Sequence, residues 1–451
     1  MADTETERGD DQATSQMIAD IQRRFAGPVV SIRRQARWRP AWFVTVEGSD
    51  GPLDLYVRGE RTDMRPIFPL RHEQMMQEQL HRDGIPVPRL RAFLDHPAAL
   101  VMDRLPGRTD FEGSTETERR SVMDDYLQVL ASMHRLDVAP FVRQGAELPP
   151  QPSAAALTGI QAYERAYRLE KVRPDPFMEF CLAWLKRNPP RHHVRQSVVV
   201  WDSGQFLHQG GRVTAVLDLE LAHIGDPLMD LAGLRMRGTV IDYGDTLELY
   251  RRYEELAGFE VELEGVEYHH FAFALTSQLA YHRALANPTP ESDLMNYLQW
   301  CSESNLFAVE TLARLVGIDL EPVEVPIPRV SPAAVAHRHL VDSIRPLAGH
   351  DEQNAYALRI AFRLARHLRR CDEIGEEVVE RNLDDLAGLL GRRPETWDDG
   401  EKSLEQFVLA SDGTQDGNLV SLFHRRLERQ RMLLGPSGSA IATHLALQPI
   451  L

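Results

Sequence analysis

The sequence predicts an α+β fold in three parts: a small β-rich N-terminal lobe, a larger mostly helical lobe and an all-α C-terminal domain. Residues 41–102 contain short aromatic and β-branched runs separated by turn residues. From Thr115 onward most apolar residues recur at helical spacing. Prolines then crowd the stretch 319–332, which predicts a linker between two helical regions.

The predicted N-terminal lobe comprises residues 26–106 and follows a lead-in, residues 1–25, that is expected to be disordered or helical. Residues 41–58 predict a β-hairpin, because glycines at 48 and 51 frame a turn between two strand-like runs. A helix is predicted over about 70–82, and Ala99 to Met102 predict another strand.

The second lobe is predicted to span residues 107–318. Thr115 and Glu118 have the spacing of a capping box, which predicts a helix from there to about residue 136. A short β segment is expected at 197–217, with one strand on each side of a turn at the two glycines 210 and 211. The predicted helical stretches are near 154–171, 175–187, 231–317 and 333–434. The C-terminal domain is predicted as 333–451, with a loop at 435–439.

Composition limits the classes of function. The 451 residues are 43% apolar and 26% charged, as in a globular protein. The net charge of −16 argues against a nucleic-acid surface, although one local basic pocket would suffice for a small anion. Three scattered cysteines indicate neither a disulfide framework nor a zinc site. No apolar run approaches a membrane span and residues 1–17 are polar, so we expect a cytoplasmic protein without a membrane partner.

Two aspartates, Asp202 and Asp218, stand at predicted strand ends within the segment 198–230. A hairpin-like connection would bring them side by side. Phosphoryl transfer uses such a pair, one carboxylate for the proton of the attacking hydroxyl and one for Mg²⁺. Either aspartate alone is more typical of a turn.

Residues 215–220, with Gly225, Asp226, Pro227 and Asp230, resemble the metal-binding segment of the aminoglycoside-phosphotransferase-like family. That family has a protein-kinase-like bilobal fold. The resemblance is greatest to the branch found beside acyl-CoA dehydrogenase domains, which is associated with phosphorylating hydroxyl groups on acyl chains. Other segments follow the family's order over residues 28–317. They are Tyr56 to Arg58, Glu73, Ile85 to Pro88, Val101 to Gly107 and Leu130 to His134.

The resemblance implies an ATP- and Mg²⁺-dependent phosphotransferase acting on a hydroxyl of a small molecule, with a hydroxyacyl or lipid-derived substrate favoured. Asp202 would be the catalytic base, and Asp218 would bind Mg²⁺ with Gln205. The residues implied to contact the nucleotide are Arg58, Glu73, Met102, Asp103 and Arg104. A protein of acyl-CoA metabolism is an implied partner. Asp226 and Asp230 are expected to be structural, capping the next helix and anchoring the loop.

The catalytic segment departs from the family's HGDxxxxN pattern. It reads Val200-Trp201-Asp202, and Leu207 stands where the family has its asparagine, which leaves Gln205 as the displaced amide. Arg58 replaces the lysine of many kinases. The missing His and Gly, the displaced amide and the absence of glycine in the phosphate-covering loop favour the alternative, a catalytically inactive kinase-fold protein that binds or regulates a partner through its helical C-terminal domain.

The expected phosphate-covering loop, residues 30–42, contains no glycine. It carries four arginines instead, at positions 33, 34, 37 and 39. They could contact nucleotide phosphates by side chain. They could also mark a site for another anion, such as a CoA phosphate.

Residues 359–370 predict a basic amphipathic helix. Its apolar residues, Ile360, Phe362, Leu364 and Leu368, are expected to pack inside the helical domain, and its arginines to form a solvated face. A docking site for an acidic partner is the alternative. His134 is expected to pack or cap, and the adjacent pairs at 192–193 and 269–270 are not expected to bind metal, since helix neighbours point apart.

Overall fold

The computed structural model describes residues 3–35, 39–49, 51–61, 64–190, 194–289, 292–434 and 447–451. The predicted loop at 435–439, the pair at 192–193 and Arg37 lie outside them. The chain divides into two compact units, Met1–Gly159 with Arg195–Val261, and Ile160–Val194 with Glu262–Leu451. Helices from both sides of residues 319–332 belong to the second unit. The predicted domain boundaries therefore differ from this division and stay a prediction.

The first unit begins with a helix, α1 (Asp3–Phe25), and a five-stranded antiparallel sheet of order β1-β2-β3-β5-β4. The strands are β1 (Val29–Arg34), β2 (Ala41–Gly48), β3 (Gly51–Gly59), β4 (Leu90–Asp95) and β5 (Ala98–Asp103). The predicted hairpin is confirmed, because β2 and β3 pair from Ala41↔Arg58 to Gly48↔Gly51. The lead-in is a helix whose Met17 and Ile21 are fully buried against the sheet.

Helix α2 (Leu70–Arg82) follows β3 and has the predicted bounds. Its Leu70 packs with Leu100 and Met102 of β5. Glu73 and Gln77 are also buried on this helix. The helix therefore carries one carboxylate into the interior beneath the sheet.

The rest of the first unit alternates helices with short strands. Thr115 Oγ1 accepts a hydrogen bond from Glu118 N at 3.1 Å, which confirms the predicted cap of the following helix. The elements are α3 (Glu116–His134), α4 (Ala139–Arg143), β6 (Ser197–Val199), β7 (Phe206–Gln209), β8 (Arg212–Val216), β9 (His223–Gly225), α7 (Leu228–Arg237) and α8 (Thr246–Ala257). Short 3₁₀ helices occupy Pro152–Leu157 and Leu219–Leu221.

The predicted pairing in the 197–217 segment is wrong in one respect. Strands β6 and β8 are not partners: β6 pairs with β9, and β8 pairs with β7. Both β6 and β9 are three residues long and buried throughout, so neither has an alternating pattern that would reveal it.

The second unit is helical. Helix α5 (Thr158–Glu170) begins at the end of the first unit and belongs to the second from residue 160 onward. The other helices are α6 (Pro176–Arg187), α9 (Leu263–Ala274), α10 (Thr276–Ala286), α11 (Leu294–Val316), α12 (Ala334–Ile344), α13 (Glu352–Leu390), α14 (Trp397–Ala410) and α15 (Asp416–Leu434). The rings of Phe180 in α6 and Phe423 in α15 stack 5.4 Å apart. Residues 319–331 have no helix or strand, as predicted, and Arg329 N donates to Glu373 O of α13 at 2.9 Å. None of the described helices combines the length and apolarity needed to cross a membrane.

Candidate active site

The two predicted aspartates lie side by side, and Gln205 joins them. Asp202 follows β6, and Asp218 follows β8. The Gln205 side-chain amide nitrogen is 2.8 Å from Asp202 Oδ2 and 3.2 Å from Asp218 Oδ2. The β7–β8 hairpin fixes this geometry, because Leu217 N donates to Gln205 O at 2.8 Å. The sequence thus predicted the juxtaposition but not the strand pairing that produces it.

Arg58 and Glu73 form a buried ion pair with Nη1 and Oε1 2.6 Å apart. The other guanidinium nitrogen of Arg58 contacts Asp218 and lies 3.4 Å from Glu220 Oε2. Burial alone would lower the pKa of Arg58, but the carboxylates of Asp218, Glu73 and Glu220 raise it above its usual value. Arg58 is therefore a permanent cation that links the α2 carboxylate to the predicted metal ligand.

Arg39 belongs to the arginine-rich segment, but it is buried and bonded inside the protein. Its Nε donates to Gly59 O at 2.9 Å, Nη2 is 3.3 Å from Glu73 Oε2, and Nη1 pairs with Glu220. Burial, then the charge of Arg58, lowers the Arg39 pKa. The phosphate contact considered for Arg39 would thus have to compete with two carboxylates. Glu220, two residues after Asp218, was not identified from sequence.

Arg237, on the last turn of α7, holds Asp202. Its Nη2 lies 2.5 Å from Asp202 Oδ1. Burial raises the pKa of the Asp202 carboxyl, the Arg237 guanidinium opposes that rise, and Asp218 adds to it. The net rise makes Asp202 a better proton acceptor than an ordinary aspartate. Nothing in the spacing of residues 202 and 237 indicated this contact.

The Asp230 carboxylate fixes the backbone that leads into Asp202. Its Oδ1 accepts hydrogen bonds from Val200 N at 3.0 Å and Trp201 N at 2.6 Å. Its Oδ2 lies 2.8 Å from His134 Nε2. Asp226 accepts from Leu228 N, the first residue of α7, at 2.9 Å. The structural roles expected for Asp226, Asp230 and His134 are confirmed.

Trp201 replaces the family's glycine and adopts a left-handed backbone with φ 65°. That conformation costs an ordinary residue about 1–2 kcal/mol. The indole is fully buried, which offsets the strain by about 1.5–3 kcal/mol. Gly159 makes room for it, because a Cβ there would lie 2.4 Å from Trp201 Cζ3.

We expect Gly159→Ala to lower the free energy of unfolding by about 1–3 kcal/mol, because the added methyl group overpacks the indole. Gly375→Ala in α13 is the matched control, since its Cβ would have no neighbour closer than 3.9 Å. That helical exchange should raise stability by about 0.5–1 kcal/mol. Urea unfolding of both variants measures the difference. Equal stabilisation of both would contradict the packing of Trp201 on Gly159.

In the predicted nucleotide segment, Met102 and Asp103 end β5, which lies between β3 and β4, and Arg104 follows it. Asp103 N donates to Arg89 O and Arg104 N donates to Asp54 O, each at 3.0 Å. The Asp103 carboxylate accepts from Arg91 at 2.6 and 3.1 Å. Both backbone donors, and the Asp103 side chain, are therefore already used within the sheet.

An arginine–aromatic surface lies beside this segment. The guanidinium carbons of Arg33 and Arg104 lie 4.7 and 4.6 Å from the centre of the Phe43 ring, and Phe43 packs 5.4 Å from Tyr56. Tyr56 and Arg58 share a strand face, being two residues apart in β3. The surface is suited to stacking a planar base.

The oxygen donors fit a Mg²⁺ ion that shares its coordination with phosphates. Within the described ranges, no group of three or more His, Cys, Asp or Glu side chains is arranged to hold a metal by itself. Mg²⁺ ordinarily takes only one or two carboxylates and completes its shell with water and phosphate oxygens. Asp218 offers one carboxylate there, and Gln205 beside it offers one amide oxygen. The donor set therefore suits a nucleotide-bound Mg²⁺ more than a resident ion.

Comparison with known proteins identifies a family for this part of the chain. The model of the phosphotransferase enzyme family matches residues 39–261. Acyl-CoA dehydrogenase family member 10 of Mus musculus is 25% identical over 214 residues, 43% of this chain and 19% of that protein. Acyl-CoA dehydrogenase family member 11 of Rattus norvegicus is 27% identical over 177 residues, 36% of this chain and 22% of that protein. The chain thus matches about a fifth of the length of these relatives.

A solved Ralstonia eutropha protein assigned to the aminoglycoside phosphotransferases has a TM-score of 0.50 and 18% identity, over 68% of this chain and 99% of its own. That likeness shows the fold. The predicted protein-kinase-like α+β fold with an all-helical C-terminal region is confirmed. The aspartates 202 and 218 and every residue described in contact with them fall between 39 and 261. Residues 39–261 of this chain are a domain of the phosphotransferase enzyme family.

Proposed function

We propose that the protein transfers the γ-phosphoryl group of ATP, with Mg²⁺, to a hydroxyl of a small molecule. The single observation that carries this proposal is the Asp202–Gln205–Asp218 arrangement, with Gln205 within 3.2 Å of both carboxylates. It stands beside the buried Arg58–Glu73 pair, the counterpart of the Lys–Glu ion pair that protein kinases use.

Each group has a distinct task in this proposal. Asp202, held by Arg237 and raised in pKa, accepts the proton that the substrate hydroxyl loses as its oxygen bonds to the γ-phosphorus and the bond from that phosphorus to ADP breaks. Asp218 and the Gln205 amide oxygen would hold Mg²⁺, which would neutralise charge on the phosphates. The Gln205 amide would have to turn for this, because its nitrogen now faces both carboxylates. Arg58 exchanges part of its contact with Asp218 for phosphate oxygens.

For the nucleotide base, we propose that it stacks on the surface formed by Phe43, Tyr56 and Arg104. Asp103 and Arg104 already use their backbone N–H groups in the sheet. The segment from Met102 to Leu105 would then meet the adenine mainly through stacking and backbone carbonyls.

For the acceptor we propose a hydroxyacyl thioester or a related lipid-derived alcohol. The support is the likeness to two acyl-CoA dehydrogenase family members over 43% and 36% of this chain. A protein of acyl-CoA metabolism is the partner we propose on the same ground.

The test is ADP formation with a medium-chain hydroxyacyl-CoA, compared with the same acyl-CoA lacking the hydroxyl. We expect ADP and a phosphorylated product only with the hydroxylated compound. Equal ADP formation with both would mean hydrolysis and would contradict transfer to this class of alcohol.

The second candidate is a kinase-fold binding or regulatory protein without transfer activity. The observation favouring it is that Arg58 and Arg39 are bonded to Asp218, Glu73 and Glu220. A closed set of internal ion pairs stabilises a state that needs no nucleotide. Binding of ATP distinguishes the two candidates.

A further inference from the structure

A groove of about 540 Å³ runs between α12 and the first half of α13 in the second unit. Ligand pockets for small organic molecules span about 300–1,000 Å³, so its size suits one such molecule. Its apolar lining residues are Val341, Ile344, Leu347, Leu358 and Phe362. Leu347 keeps 56% of its surface exposed. The groove therefore leaves apolar surface open to solvent.

Arginines surround that apolar floor. Among the residues that the structure describes, four arginines line the groove, namely Arg345, Arg359, Arg366 and Arg369, with one carboxylate, Asp342. Arg369 also has an ion pair with Glu373, at 2.9 Å. Arginines therefore outnumber carboxylates among these lining residues, in a protein whose net charge is −16.

Arg366 is half-buried, whereas the other three arginines that line the groove are exposed. Its guanidinium carbon lies 5.8 Å from the centre of the Phe362 ring. Burial, followed by the charges of Arg369 and Arg345, lowers the Arg366 pKa. An anion placed among these side chains would relieve their repulsion, which no apolar ligand would do.

The basic helix was expected to bury Leu368 and to present a solvated arginine face, with a docking site for an acidic partner as the alternative. Leu368 instead keeps 44% of its surface exposed, and Arg359, Arg366 and Arg369 line the groove. Residues 347–349, which precede α13, also line the groove. A Cβ on Gly349 would lie 2.2 Å from Ala355 N, so the chain packs tightly there.

We propose that this groove binds an amphiphilic anion, an unbranched alkyl chain with one carboxylate or phosphate head. The chain would lie on the apolar floor, and the head would pair with the arginines. A nucleic acid would need neither the apolar floor nor a groove of this volume. Binding in this groove uses none of the site residues around Asp202. The proposal is therefore independent of whether the protein transfers phosphoryl groups.

The experiment is calorimetric titration of the full chain with decyl phosphate and with decanoate, below their critical micelle concentrations. Two controls each carry one half of the ligand. Decanol has the alkyl chain without the anionic head, and inorganic phosphate has the anionic head without the chain. We expect at least one of the anionic amphiphiles to bind about tenfold more tightly than either control, the scale of one charge-assisted hydrogen bond. Preference for decyl phosphate would identify a phosphorylated ligand, and preference for decanoate a free acid.

The double variant Arg345→Gln with Arg359→Gln assigns that binding to the groove. Both side chains are exposed, so the fold should persist. We expect about a tenfold loss of affinity. The control, Arg338→Gln with Arg392→Gln, removes equal charge from exposed positions outside the groove. Three results would each overturn the proposal. The groove variant could bind as tightly as the wild type, decanol could bind as tightly as both anions, or neither anion could bind at all.

Discussion

Asp202→Asn is expected to slow phosphoryl transfer by about 10²–10⁴-fold, because an amide cannot accept the hydroxyl proton. The exchange keeps the size of the side chain and its contact with Gln205. ATP affinity should change far less than the rate, since Asp202 acts on the acceptor. Steady-state rates of ADP formation with the hydroxylated substrate measure the effect.

The pH profile supplies a second readout for the same variant. Burial and the charge of Asp218 raise the Asp202 pKa above 3.8, and Arg237 only partly opposes this. A base works when deprotonated, so the wild-type rate should fall as pH drops through the raised pKa. The variant should lose that limb. Asp137→Asn, an exposed turn residue that accepts from Ala139 N, is the control and should keep the wild-type rate. Turnover near the wild-type rate in Asp202→Asn would show that another group takes the proton.

Glu73→Gln is expected to lower the free energy of unfolding by about 3 kcal/mol, since breaking a buried ion pair leaves charge uncompensated. Glu73 accepts from both Arg58, at 2.6 Å, and Arg39, at 3.3 Å. With a neutral amide in its place, two buried guanidinium groups would face each other with Asp218 and Glu220 alone to balance them.

The control is Glu78→Gln on the same helix. Glu78 pairs with Arg82 at 3.6 Å, and both side chains are largely exposed, so the change should stay within about 1 kcal/mol of the wild type. Urea unfolding of the two variants provides the comparison. Equal stability of both would mean that Asp218 and Glu220 suffice for the two arginines.

Local signals account for most of the fold that the sequence predicted. The turn at 48–51, the Thr115–Glu118 cap and the prolines of 319–332 act over a few residues, and each element appeared where predicted. The pairing of β6 with β9 joins residues about 26 positions apart through three-residue strands. No periodic pattern that short can distinguish it from a β6–β8 pair.

The residues of the candidate site also fall into those that local sequence signals predicted and those that they did not. Asp202, Asp218, Arg58 and Glu73 were predicted from strand ends and a family pattern, and the structure brings these side chains together. Arg39, Glu220 and Arg237 were missed or misjudged, because their roles depend on which charge lies opposite once the chain has folded. Arg39 meets Glu220 across 181 positions of sequence. Only burial and distance reveal such contacts.

The central claim is that Asp218 holds Mg²⁺ for a bound nucleotide. The most direct measurement is calorimetric titration of the wild type and Asp218→Asn with ATP, with and without Mg²⁺. Asparagine is chosen because residue 218 has φ 58°, a left-handed conformation that it tolerates better than alanine. We predict Mg²⁺-dependent binding in the wild type and loss of that dependence in the variant. No binding of ATP to the wild type with Mg²⁺ present would contradict the claim and favour the kinase-fold binding protein.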